Sequence, residues 1–319
     1  MTVVWFALIL LCLLMYVVLD GYDLGVGTAT LFERDPRHRH EMLESVALAW
    51  DGNETWLVLL GVSLWAGFPE AFGTILPHAC LPLTVMLFAL IFRGVSLELA
   101  SQRPPAPGWE KAFGIASLVA ALAQGAAAGT LAANATTGGG LGWYSALTAI
   151  AVATGYLALG YAFTRWKGAG ALRAQAGRRG IVATLAAVAL AAACLGAAEA
   201  TAEPLDLGSP VRIAGFAGLL AFAVVGIVLA VATLRPACQR DTLPLCGLAI
   251  AVVATVLALV AARYPVIAPP SLTVDDTVSP SGTMQFLAAG VGLNMPLVLF
   301  YSWYAHYAFR GTRTTGEHE

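Results

Sequence analysis

Trp50-Asp51-Gly52-Asn53-Glu54-Thr55-Trp56 sets two carboxylates and an amide at the head of an apolar run that continues to Phe68. Thr55–Phe68 alone covers about 21 Å of helix, short of the roughly 30 Å hydrocarbon core of a bilayer. Starting the helix at Val46 makes it long enough to span, and then the polar tract lies inside the membrane. A second acidic stretch, Asp20-Gly21-Tyr22-Asp23, interrupts the first apolar run in the same way, because Leu24–Phe32 resumes it. A charged side chain at a helix centre costs about 2.5–3.5 kcal/mol on insertion scales, so such groups face a protein interior, pair, or take up protons.

The rest of the chain sets the background against which these residues stand out. Its 319 residues are 59% hydrophobic and 11% charged, with mean hydropathy +0.77. Soluble domains carry roughly 25% charged residues, so the composition specifies an all-α integral membrane protein, read as one membrane domain over 1–319. A net charge of -2 gives nucleic acid no electrostatic footing. The five cysteines fall singly in apolar surroundings and read as small buried hydrophobes. The first apolar run lacks a basic flank and a cleavage site, and reads as a span.

Nine candidate spans follow, near 3–31, 46–68, 75–97, 112–133, 143–164, 181–199, 211–233, 243–262 and 284–309. Turn formers separate them: Asp35-Pro36, Pro104-Pro105, Gly138-Gly139-Gly140 and Pro269-Pro270. Of the 17 Lys and Arg, all but Arg212 and Arg263 fall in alternate connections or the C-terminal tail. The positive-inside rule then puts the N-terminus outside and the C-terminus in the cytoplasm. Glu199, Glu203, Asp206 and Asp275-Asp276 on the outer side read as solvated loop charges.

Polar groups at membrane depth concentrate in the first three spans. Asp20, Asp23, Asp51, Glu54, Arg93 and Glu98 are expected at similar depth in the cytoplasmic half, with Arg93 and Glu98 as ion-pair partners or, for Arg93, a positive-inside anchor. Proton conduction is the usual use of such a set. A structural reading competes, in which Asp51 caps the helix and Glu54 completes a capping box. Asp20-Gly21 could likewise mark a helix break, with Gly21, Gly25 and Gly27 permitting close backbone approach. Haem ligation by this chain is not expected: His38 and His40 lie in a basic loop, His318 in the tail, and His78 and His306 near opposite faces.

Leu19-Asp20-Gly21-Tyr22-Asp23-Leu24-Gly25-Val26-Gly27, the Trp50–Trp56 tract, Phe92-Arg93-Gly94-Val95 and Tyr264-Pro265 together resemble subunit II of the cytochrome bd-type quinol oxidases. The compact loops look most like the cyanide-insensitive branch. The resemblance implies nine transmembrane helices, N-out and C-in, as two four-helix bundles plus one peripheral helix in the bacterial inner membrane. It implies a heterodimer with a subunit I that holds the b haems, haem d and the quinol-oxidising loop, with quinol as substrate and dioxygen reduced to water. No cofactor is then bound by this chain alone, although some members hold a structural quinone, and a small accessory subunit is a further partner. Asp51 matches a residue associated with cytoplasmic proton uptake, with Asp20, Asp23 and Glu54 as neighbours. Trp56 matches one associated with an apolar dioxygen route, with Trp50 beside it. The residues also admit two other classes, a proton-coupled transporter and a stand-alone haem protein. The absence of a repeated polar tract in the second half counts against the transporter.

Overall fold

Long apolar stretches leave few ways to satisfy backbone groups in lipid other than helices, and helices are what form. The computed structural model of the chain describes residues 1–102, 106–137, 141–201, 207–235, 237–268 and 271–308. The expected turns at Pro104-Pro105, Gly138–Gly140 and Pro269-Pro270 lie outside the described residues, as do Glu203, Asp206, His318 and the cations of the tail.

The elements are α1 (Thr2–Thr30), α2 (Pro36–Val46), α3 (Trp50–Gly67), α4 (Pro69–His78), α5 (Cys80–Gln102), α6 (Pro107–Thr137), α7 (Trp143–Lys167), α8 (Gly170–Thr201), α9 (Pro210–Thr233) and α10 (Leu243–Arg263). The short antiparallel strands β1 (Val266–Ala268) and β2 (Leu272–Thr273) follow, then α11 (Val274–Thr277) and α12 (Ser281–Ala308). Eight of these helices are long and apolar enough to cross a membrane: α1, α5, α6, α7, α8, α9, α10 and α12. The remaining expected span corresponds to α3, which has 18 residues and a polar first turn.

Two expectations about continuity are corrected. The run 46–68 is not one helix: Val46 closes α2, Ala47–Ala49 form a turn, and α3 starts at Trp50. The run 75–97 is also divided, since α4 ends at His78 and α5 begins at Cys80. Conversely, Asp20-Gly21 does not break α1, which runs unbroken from Thr2 to Thr30. The extra helix α2 starts on a strong signal: Asp35 accepts from the Arg37 amide at 2.9 Å and Pro36 occupies the first turn. It buries Met42, Leu43 and Val46. Of the cysteines only Cys12 is fully buried, while Cys80 and Cys246 sit on the outer surface, where apolar neighbours face outward.

Taken in chain order, the long helices form two groups, and the packing between the groups is as close as the packing within them. In the first, α1 packs on α3 and α6, and α6 packs on α5; in the second, α7 packs on α8 and α10, and α10 on α9. The groups meet along α1–α7 and α6–α7, and α12 touches α3 while leaving Phe286, Leu293, Leu297 and Phe300 exposed. Small residues allow the closest seams. A Cβ at Gly25 would overlap the Tyr156 carbonyl oxygen, and one at Gly160 would overlap the Gly25 carbonyl carbon. The expectation that glycines bring backbones together therefore holds at the α1–α7 seam.

The basic connections share one end. Glu33, just past α1, takes Arg179 of α8 at 3.1 Å, and Arg39 of α2 meets Glu110 of α6 at 2.9 Å. Arg165 of α7 donates to the carbonyls of Arg235 and Cys238 beyond α9. Arg263 lies at the other end, where it donates to the Ala132 carbonyl. At that end too, Tyr264 packs its ring on Phe6, and Ser279 bonds the Ala66 carbonyl. Thr273 and Asp276 form a capping box on α11, and the Thr273 hydrogen bonds hold the Asp276 carboxyl below the usual carboxylate range.

Candidate functional site

The buried charges gather where α1, α3 and α5 adjoin. Asp20 lies ten residues from the end of α1, about 15 Å of helix, and Arg93 nine residues from the end of α5. Their side chains are each 1% exposed, and the Arg93 Nη1 stands 2.7 Å from Asp20 Oδ1. The other terminal nitrogen, Nη2, donates to Glu54 Oε2 at 3.1 Å; Glu54 is 24% exposed. One guanidinium thus holds two carboxylates from different helices, a use suited to its planar fork of donors. The Trp50 ring lies over the same guanidinium, 5.9 Å from centroid to Cζ. Gly94 makes room for it, because a Cβ there would fall 2.7 Å from the indole edge.

Beside this triad stands a second arrangement. Asn53 of α3, fully enclosed, donates from Nδ2 to Asp23 Oδ2 at 2.8 Å and to the Tyr22 hydroxyl at 2.7 Å. Tyr22 is fixed in turn by stacking on Phe163 of α7, with centroids 4.3 Å apart and planes 8° from parallel. Above Asp20, the Tyr16 hydroxyl donates to Gln124 Oε1 at 3.4 Å and lies 4.0 Å from the Met86 sulfur.

The expected residues are therefore only partly together. Asp20, Asp23, Glu54, Arg93 and Trp50 converge. Asp51 does not join them; it is exposed, and its Oδ1 accepts from the Gly52 amide at 2.7 Å. Nor does Asp51 cap the helix, whose N-cap is Ala49, and Glu54 reaches Arg93 instead of closing a capping box. Glu98 is exposed and is not the ion-pair partner of Arg93. Five residues along α5 turn it about 140° from Arg93. Arg93 is no end-of-helix anchor either, given its depth and full burial. Trp56 is 0% exposed, in an apolar cluster with Cys12, Tyr16 and Met295, and its indole N–H finds no partner among the described residues.

Sequence reasoning missed Asn53 as the link to Asp23, and missed the buried Glu33 and Glu110 at the basic end. Glu33 Oε1 accepts from the Arg34 and Asp35 amides at 2.9 and 3.0 Å, and His38 lies 3.9 Å away. Glu110 stands 3.7 Å from His40. Little in the sequence marks these two acids, because the cations that pair with them, Arg179 for Glu33 at 3.1 Å and Arg39 for Glu110 at 2.9 Å, come from other helices. Among the described residues no group of three or more His, Cys, Asp or Glu is close enough to hold a metal ion.

Fold and site define a class, a multi-pass helical membrane protein with an acid–arginine core inside its first helix group. Comparison with known proteins places it further. The chain belongs to the cytochrome bd terminal oxidase subunit II family, which it matches over residues 1–309. It is 32% identical over 132 residues to cytochrome bd-I ubiquinol oxidase subunit 2 of Escherichia coli (strain K12), covering 40% of this chain and 35% of that one. Against cytochrome bd ubiquinol oxidase subunit 2 of Bacillus subtilis (strain 168) it is 34% identical over 95 residues, 30% of this chain and 28% of the relative. These matches span about a third of the relatives' own length. The structure of bd oxidase from Geobacillus thermodenitrificans has the same fold, with TM-score 0.79 and 16% identity, covering 97% of this chain and 98% of that one. Eight apolar spans and this family make the chain a multi-pass protein of the bacterial inner membrane.

Proposed function

We propose that this chain is the non-haem subunit of a cytochrome bd-type quinol oxidase, and that it supplies a cytoplasmic proton-uptake path to a haem-bearing subunit I. The observation that carries the reading is the Glu54–Arg93–Asp20 triad, its arginine and aspartate buried, with the buried Asp23 beside it. Ionisable groups placed at such cost inside a helical membrane protein are the expected material of proton transfer. In this reading α3 is the ninth span, the basic end faces the cytoplasm, and the N-terminus lies outside.

Access to the acids comes from the α3 side. Across the α1–α7 seam, the contact of Gly25 with the Tyr156 carbonyl leaves no room for water. On the α3 side Glu54 keeps partial exposure, and Asp51 lies two residues before Asn53 on the outer surface. Val58 and Val62, further along α3, are exposed and apolar. A carboxylate at the head of such a lipid-like surface needs protein to cover it, and subunit I is that protein. Asp51 then receives protons where the two subunits meet, and Glu54 and Asp20, held on one guanidinium, and Asp23 beside them continue the path inward.

The haems of subunit I supply the electron transfer and oxygen reduction, with quinol as the reductant. This chain's residues bind, orient and hand on protons, and its packing supports the partner. Trp56 and its apolar neighbours serve as packing or as a route for dioxygen. A structural quinone and a small accessory subunit remain compatible additions.

Asp51→Asn tests the path. Turnover of quinol-dependent oxygen uptake is expected to fall about 100-fold, within the range for loss of a proton-transferring group, while the haem-to-protein ratio of the purified complex stays unchanged. Haem loss in step with the activity loss would show that Asp51 is structural.

A further inference from the structure

Three carboxylates, Asp20, Asp23 and Glu54, lie around one guanidinium, and only Asp20 and Glu54 touch it. Asp23 is left to an uncharged donor, the Asn53 amide. We propose that Asn53 is the positioning residue of the buried acids, holding Asp23 at a fixed place and away from Arg93 whether or not Asp23 carries a proton. The proposal rests on the proton-uptake reading and deepens it.

The geometry of the amide carries the argument. A primary amide nitrogen has two N–H groups, and both are committed, one to Asp23 Oδ2 and one to the Tyr22 hydroxyl. Tyr22 cannot move far, because its ring is stacked on Phe163. Asn53 is therefore held to α1 at two points, Asp23 and Tyr22, and the Tyr22 ring is itself backed by Phe163 of α7. An amide N–H donates to an ionised carboxylate and also to the carbonyl oxygen of a protonated one. It keeps its hold through a change of charge. A guanidinium or ammonium in the same place would favour the ionised form alone. Asp23 Oδ1 takes no hydrogen bond from any described residue, which leaves it as the oxygen where a proton is gained and lost.

The charged and titratable groups around Asp23 are Asp20 and Tyr22 on α1, Glu54 on α3 and Arg93 on α5, while α7 presents Phe163 and Tyr156. Freed of Asn53, the Asp23 side chain has one strong attractor, Arg93. Its turning there would set three carboxylates on one cation and remove Asp23 from the path.

Asn53→Leu and Asn53→Ser test this in the purified complex, the first removing both donors and the second keeping one hydroxyl donor. Quinol-dependent oxygen uptake is measured against pH, with haem content and the infrared carbonyl band of a protonated carboxyl, assigned by its loss in Asp23→Asn. For Asn53→Leu we expect kcat to fall about tenfold or more, with a displaced pH profile, a shifted carbonyl band, and unchanged quinol KM and haem content. Asn53→Ser recovers part of the rate and of the band position. Wild-type turnover, pH profile and band in Asn53→Leu overturn the proposal, and so does activity loss in proportion to haem loss in both variants. If the wild-type complex shows no quinol-dependent uptake, the oxidase reading fails, and the infrared band alone then decides whether Asn53 holds Asp23.

Discussion

Arg93→Leu is expected to destabilise the chain by about 3–5 kcal/mol, the cost of removing one partner from a buried ion pair. Asp20 would be left 1% exposed with no cation, and Glu54 would lose its only ion pair among the described residues. Against a typical total stability of roughly 5–15 kcal/mol, that is enough to cut the yield of folded chain sharply. The measurement is the thermal midpoint and monodisperse yield of the detergent-purified protein. Arg93→Leu with Asp20→Asn should recover much of the loss, because the amide needs no counter-charge. Asp20→Asn alone should cost less than Arg93→Leu, since Arg93 keeps Glu54. Equal stability of Arg93→Leu and wild type would mean that the triad contributes nothing to the fold.

The second large effect is expected at the seam between the two helix groups. Gly25→Ala forces a methyl group into the Tyr156 carbonyl oxygen, a backbone atom that can yield only if α1 and α7 separate. Overpacking costs about 1–3 kcal/mol where side chains can adjust; here no side chain is available to adjust, so the loss should reach the top of that range. Gly160→Ala meets the same seam from the other side, against the Gly25 backbone. Gly196→Ala is the control, because nothing lies within 4 Å of its added Cβ. The expected result is a lowered thermal midpoint for the first two and an unchanged one for the control. Equal midpoints for all three would show that the α1–α7 contact is looser than described.

Much of this was legible from residue order. Apolar runs located the long helices, and the glycines after Asp23 announced a close helix contact. The buried acids were legible as a group because charge is so scarce elsewhere. At Asp51 and Glu98 the expectation failed for one reason: depth along a helix does not fix which way a side chain faces. Arg93 shares a face of α5 with Met86, Leu90, Leu97 and Ala100, all buried, and Glu98 does not fall on it. On α3 the buried positions are Asn53, Trp56, Ser63 and Gly67. Asp51, two residues from Asn53, is turned about 200° away. Helical spacing therefore carried the signal that Asn53, not Asp51, reaches the interior.

Other features had no local signal. The turn at Ala47–Ala49 consists of residues that also suit a helix, so nothing in those three residues marks the break between α2 and α3. Glu33 resembles any loop acid until Arg179, 146 positions later, arrives beside it. Tertiary contact made that choice.

The proposed role of this chain is that of the proton-conducting partner of a haem-bearing quinol oxidase subunit. Its most direct test is purification of the tagged chain from its native membrane, with a visible spectrum and quinol-dependent oxygen uptake recorded on the product. A haem-bearing partner of similar size should co-purify, together with oxygen uptake that requires quinol. Soret absorption from this chain alone, or a chain that purifies without a haem partner and without oxygen uptake, would contradict it.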